Sequence, residues 1–252
     1  MGKKDERLNE TRINNNGERM TIVRYGGALD IDVQFDDGTI LEHRQYGHFK
    51  KGEIKNPMFP SLYGVGFIGI GKFKPCDENG KITKCYKTWE GMLKRCYDSK
   101  FQEKRPTYKG CRVCKEWWNF QKFAEWYYEH YYEIENEIMA LDKDILNKGN
   151  KVYSAETCVF VPVSINSLFT KCNKSRGNYP IGVYKNGNKF RVCLCKDNRN
   201  IDLGTYDTPE EAFQAYKIAK EQYIKQIAEE YKDKIPCKLY KAMIAYEVEI
   251  DD

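Results

Sequence analysis

Apolar and polar positions alternate over Met20-Thr-Ile-Val-Arg-Tyr and again over Ile31-Asp-Val-Gln-Phe. That is the period of half-buried β-strands. Asp36-Asp-Gly38 is a hairpin turn signal, and Thr39-Ile-Leu-Glu-His continues as the partner strand. Asn56-Pro57 marks a turn, and Gly64-Val-Gly-Phe-Ile-Gly-Ile-Gly reads as a twisted, glycine-rich strand. Gly64, Gly66 and Gly69 match the G-x-G-x-x-G spacing, but no long helix follows, so the run is not a dinucleotide fingerprint. Several short strands in this stretch predict a small SH3-like β-barrel. The residues before it, 1 to about 18, are polar and Asn-rich and read as a flexible arm.

The period then changes. Trp89, Met92, Leu93 and Cys96 share one helical face, with Thr88 as the expected cap. Phe101 to Gly110 reads as a polar loop. A second helix carries apolar or aromatic residues at 117, 120, 123, 124, 127 and 131, a stripe that reads as core. From Ile138 to about Phe169 the order is strand, loop, turn, strand, helix. A basic linker leads to three short strands, with turns at Asn186-Gly-Asn188 and Asp197-Asn-Arg-Asn. Thr208-Pro-Glu-Glu211 then starts a helix, with Thr as cap and Pro at the first helical position. Val183, Phe190, Leu203 and Phe213 are the expected core of this last part. The chain is therefore expected to be α+β, in three small modules over 1–73, 74–172 and 173–252.

Composition narrows the function classes. No apolar run is long enough to span a membrane, and the start lacks the apolar centre of a signal peptide. A cytosolic protein with no membrane partner is expected. The net charge of +5 is mild, but its placement is uneven. From Lys171 to Arg199 the chain carries Lys171, Lys174, Arg176, Lys185, Lys189, Arg191, Lys196 and Arg199 against the single acid Asp197. A basic run on one hairpin with interleaved aromatics suits a polyanion. Ten cysteines in such a chain read as reduced, buried thiols. Cys111-Arg-Val-Cys114 is the one C-x-x-C, and no second knuckle completes it, so a structural zinc is the lesser alternative.

The segment Leu141-Asp-Lys-Asp-Ile-Leu, followed by Lys151-Val-Tyr-Ser and Val161-Pro-Val-Ser-Ile-Asn166, resembles the ββα-metal site of the HNH endonuclease family. It resembles in particular the HNH-like phage proteins that end in an AP2 domain. The resemblance implies that Asp142 and Asn166 ligate a divalent cation such as Mg²⁺, with Asp144 as an extra ligand. The family's general-base His falls at Lys143. A variant among rare-cutting restriction enzymes of that superfamily carries a basic residue there and a Tyr before Ser in the loop, as Tyr153-Ser154 stands here. A phenol beside a cation can act as base, which makes Lys143 and Tyr153 the expected catalytic pair. His43, His48 and His130 lie outside the motif.

Ile181-Gly-Val-Tyr, Phe190-Arg-Val, Leu203-Gly-Thr-Tyr-Asp-Thr and Glu210-Glu-Ala-Phe-Gln-Ala-Tyr resemble the AP2 fold, which lays three strands in the DNA major groove. Tyr184, Lys185, Lys189, Arg191 and Arg199 are expected on the exposed face, with Lys174 and Arg176 adding basic charge from the linker. Arg191 is the expected base reader and the lysines hold phosphates. The resemblance thus implies a metal-dependent endonuclease acting on double-stranded DNA in a host-cell cytosol. The alternative is an inactive DNA-binding relative that regulates phage genes or inhibits a host system. Any protein partner would fall to the N-terminal β-module.

Overall fold

The computed structural model describes residues 6–170, 179–196 and 199–250. The architecture is mixed α+β with several small sheets, and no closed barrel occurs among the described residues. The chain divides into two units, residues 1–128 and 129–252.

In the first unit, β1 (Thr11–Ile13), β2 (Arg19–Gly27), β3 (Asp30–Phe35) and β4 (Ile40–Arg44) form an antiparallel sheet in the order β1-β2-β3-β4. Alternation puts Met20, Ile22, Ile31, Val33 and Phe35 on one face, where they bury against Phe49 of the short helix α1 (Tyr46–Lys50) and against Ile54. The expected SH3-like barrel is instead an open meander. β1 and β4 are its two edges, and both are largely exposed, so nothing drives the sheet to close on itself. The expected flexible arm is also structured from Thr11 onward. Asn14 is the reason: it is buried, its Oδ1 accepts from the backbone N–H of Asn16 and Glu18 at 2.9 Å each, and its Nδ2 donates to the Ile54 carbonyl.

The rest of this unit holds α2 (Lys84–Tyr97), α3 (Ser99–Lys104), the two-residue strand β5 (Arg112–Val113) and α4 (Phe120–His130). Thr83, not Thr88, caps α2 by accepting from the Tyr86 N–H. Thr88 sits one turn inside and donates to the Lys84 carbonyl. Asp98 caps α3 in the same way, which makes the first part of the expected polar loop helical, as far as Lys104. Trp89, Met92, Leu93, Trp117, Phe120 and Phe123 are buried, and the Trp89 indole donates to the Trp117 carbonyl at 2.6 Å. The glycine-rich run forms no strand. Its Phe67 bridges Asn119, and a Cβ on Gly66 would lie 2.4 Å from Leu93 Cδ1. Gly66 thus serves close approach to α2, while Gly69 and Gly71 lie against the side chains of Asn119 and Gln121.

In the second unit, β6 (Met139–Asp142) pairs antiparallel with β8 (Val159–Pro162), in the register Met139↔Pro162 to Asp142↔Val159. Between them lies β7 (Val152–Tyr153), and after β8 comes a single helical turn, α5 (Val163–Asn166), that tightens into a 3₁₀ turn over Ser167–Phe169. β9 (Val183–Asn186), β10 (Lys189–Lys196) and β11 (Arg199–Tyr206) form an antiparallel sheet with β10 in the middle. The helix α6 (Pro209–Tyr231) starts as its sequence predicts, with Thr208 Oγ1 accepting from the Glu211 N–H and Pro209 in the first turn. α7 (Cys237–Ile244) follows.

α6 is long enough to serve two cores. Its first half packs Ala212, Phe213 and Tyr216 against Val183, Val192 and Leu194 of the sheet. Phe190 and Leu203, expected as core, are half-buried at the margin of that cluster. Its second half packs Ile224 and Ala228, together with Leu239 and Met243 of α7, against Ile145, Val159, Val161 and Ile165. Each buried aliphatic side chain contributes about 1.5–3 kcal/mol. The β6–β8 hairpin and the three-stranded sheet are thus held by one helix. No helix among the described residues is long and apolar enough to cross a membrane.

Candidate metal site and nucleic-acid interface

Asp142 ends β6 and opens a tight turn. Its Oδ1 accepts from the backbone N–H of Asp144 at 2.8 Å and of Ile145 at 2.7 Å. The turn returns the chain so that Asn150 Nδ2 donates to the carbonyls of Lys143 and Val152, both at 2.7 Å. Ile145 anchors the turn in the hairpin core. Burial, and then the neighbouring Asp144 carboxylate, push the Asp142 carboxyl up to about 6, against the pull of the two backbone N–H groups. Lys143 is 7% exposed. Its Nζ lies 3.1 Å from Asp144 Oδ2 and 5.8 Å from the centre of the Tyr153 ring, which is also buried.

The structure therefore brings together four of the five residues expected of the site: Asp142, Lys143, Asp144 and Tyr153. Asn166 ends α5, half-buried. Asp142 is paired with Val159, three residues before the Pro162 that precedes α5. No hydrogen bond or ion pair among the described residues links Asn166 to either aspartate.

The three-stranded sheet presents Tyr184, Lys189, Arg191 and Cys193 on the face away from α6. Tyr184 stands directly across from Arg191. Alternation turns Lys185, opposite Phe190, and Arg199, opposite Lys196, toward the helix side. The expectation of five side chains on one face thus meets the two-residue period of the strand. Lys185 still reaches the rim of a concavity of about 410 Å³ that Tyr184, Asn186, Arg191, Cys193 and Asn200 also line. Two of the outer cations are paired: Lys189 Nζ lies 2.9 Å from Asp207, and Arg191 Nη2 lies 3.0 Å from Asp202. Lys174 and Arg176 lie outside the described residues.

One cluster escaped the sequence reading. Asp30 and Asp32 on β3 and His43 at the end of β4 converge, the only group of three or more His, Cys, Asp or Glu ligand atoms among the described residues. The Asp-x-Asp alternation was the available signal. Arg24 on β2 already fills this cluster, with its guanidinium bonded to both carboxylates. That guanidinium, and then His43, hold the Asp30 carboxyl below the usual carboxylate range. The C-x-x-C pair shows buried Cys111 and half-buried Cys114, both reduced, with no third ligand grouped near them among the described residues.

Comparison of the chain with protein-family models, with curated proteins and with solved structures found no match in any of the three.

Proposed function

We propose that this protein binds double-stranded DNA through the outer face of β9–β11 and hydrolyses a phosphodiester bond at the Asp142 turn. In this reading it is an HNH-like endonuclease with an AP2-like DNA-binding part. The observation that carries the reading is the sheet face itself. An aromatic ring, a guanidinium and an ammonium stand side by side on a three-stranded ribbon whose other face is packed on a helix. Strands of this kind enter the major groove, where Arg and Lys reach base edges and phosphates.

The donor set at Asp142 and Asp144 suits a hard divalent cation such as Mg²⁺, because two repelling carboxylates, one of them desolvated, gain from a shared cation. In this reading Asn166, at the end of α5, is the further ligand. A cation bound there offsets charge developing on the scissile phosphate. Lys143 keeps Asp144 oriented and adds positive charge near Tyr153, whose phenolate, formed by prior loss of the hydroxyl proton to solvent, takes the proton from the attacking water. A host-cell cytosol and a phage origin belong to the same reading.

A second reading is a DNA-binding protein without catalysis, a regulator or inhibitor. The Lys143–Asp144 pair favours it, since the buried ammonium of Lys143 supplies internally the positive charge that a metal would bring. Supercoiled plasmid incubated with and without Mg²⁺, beside duplex binding measured in Ca²⁺, separates the two. Mg²⁺-dependent nicking that Tyr153→Phe abolishes without loss of binding supports the endonuclease. Binding without cutting under any divalent cation establishes the second reading. Absence of duplex binding overturns both.

A further inference from the structure

Resting on the DNA-binding reading above, we propose that Asp202 is a positioning residue that sets base specificity by aiming Arg191 at guanine. Asp202 lies on β11 opposite Cys193, just where the β10–β11 register slips by one residue between Val192 and Cys193. The slip fixes its side chain. Oδ1 accepts from the Gly204 N–H at 3.0 Å, and Gly204 sits at φ +108°, a conformation that glycine tolerates. Oδ2 is left to face Arg191.

Arg191 donates its Nε–H to that oxygen at 3.1 Å, and its Nη2 lies 3.0 Å from the same oxygen. A guanidinium has two useful edges, and this contact occupies the side edge. The end edge, made by Nη1–H and the second Nη2–H, remains directed away from Asp202. Its two parallel donors match the O6 and N7 acceptors of guanine. Tyr184 stands across from Arg191 on the other neighbouring strand and lines the same concavity. Without Asp202 the long Arg side chain samples many rotamers and meets phosphates as readily as bases. With it, the fork is ordered before binding, and the carboxylate disfavours a phosphate beside Arg191. Specificity thus arises from an acid placed in a basic face.

Asp202 also pins the bulge, so the test must separate the two roles. Asp202→Asn keeps a carbonyl for the Gly204 N–H but turns an amide donor toward Arg191, where a donor cannot hold a donor. Wild type, Asp202→Asn, Arg191→Ala and Arg191→Lys are each put through selection from a randomised duplex library, with melting temperature and total affinity for unselected duplex measured alongside. The expected result is a guanine position in the wild-type site whose preference falls about tenfold in Arg191→Ala. Asp202→Asn shows the same loss while its melting temperature holds and its affinity for unselected duplex is equal or higher. Arg191→Lys, which keeps the charge and lacks the fork, retains affinity and loses the preference. Retention of the guanine preference in Asp202→Asn or in Arg191→Lys overturns the inference, as does a wild-type site with no guanine position. If Asp202→Asn unfolds, the Arg191→Lys result decides. Wild-type protein that binds no duplex overturns the DNA-binding reading itself.

Discussion

Two Asp-x-Asp pairs in this chain have opposite electrostatics. Asp30-Ile-Asp32 lies on a strand, so both carboxylates point to one face, where Arg24 from the neighbouring strand bonds both. Both carboxyls are held below the usual range by that guanidinium. Asp142-Lys-Asp144 lies in a turn. Its only internal cation, Lys143, bonds Asp144, and Asp142 is left to burial and to its neighbour's charge, with its carboxyl raised to about 6. The difference teaches that spacing of acids does not define a cation site. The first pair already holds its cation, in a form that cannot leave, whereas at the second the ammonium of Lys143 bonds Asp144 and no ion pair to Asp142 occurs among the described residues.

The largest expected effect lies at the second pair. Asp142→Ala should lower Mg²⁺-dependent plasmid cutting by about two to three orders of magnitude, leaving duplex binding in Ca²⁺ unchanged. Unaltered cutting rates in this variant would dissolve the contrast between the pairs.

Next is stability without metal. A carboxyl raised in the folded state carries a penalty that is absent below its unfolded value near 4, grows as pH rises toward about 6, and is complete above that. Asp142→Asn keeps the acceptor for the Asp144 and Ile145 N–H groups and removes the charge. It should therefore be more stable than wild type by about 1–3 kcal/mol at pH 7.5, with the gain vanishing below pH 4. Chemical denaturation at both pH values measures this. Mg²⁺ should raise the melting temperature of wild type and not of Asp142→Asn.

The first pair should respond with the opposite sign. Its lowered carboxyls stabilise the fold above about pH 4, and that contribution fades as pH falls through their folded values. Arg24→Gln should lower the melting temperature at neutral pH, with the deficit shrinking on acidification, and Mg²⁺ should recover part of it. A deficit that grows in acid would contradict the assignment. The smallest effect concerns a third acid–base pair, Lys189 with Asp207. Lys189→Ala should reduce the salt dependence of duplex binding by roughly one unit of slope, and an unchanged slope would remove this lysine from the interface.

Local chemistry was legible in the sequence. Alternation located β2 and β3, the Thr208-Pro-Glu-Glu211 cap located the start of α6, and aromatic spacing located the buried face of α4. The Asp142 turn and the strand that precedes it were also legible, because a turn of this kind is made by neighbours in the chain. Tertiary structure decided the rest. Whether the N-terminal strands close or stay open depends on what covers their edges, and whether residues 11–18 are ordered depends on Asn14 finding a carbonyl forty residues away. That Lys185 and Tyr184 point apart follows from the two-residue period once the register is known. That α6 holds the hairpin and the sheet in separate cores is carried by contacts between segments distant in sequence. Charges behave in the same way: an aspartate's partner is the side chain that folding brings to it, and that is why one Asp-x-Asp met an arginine and the other did not.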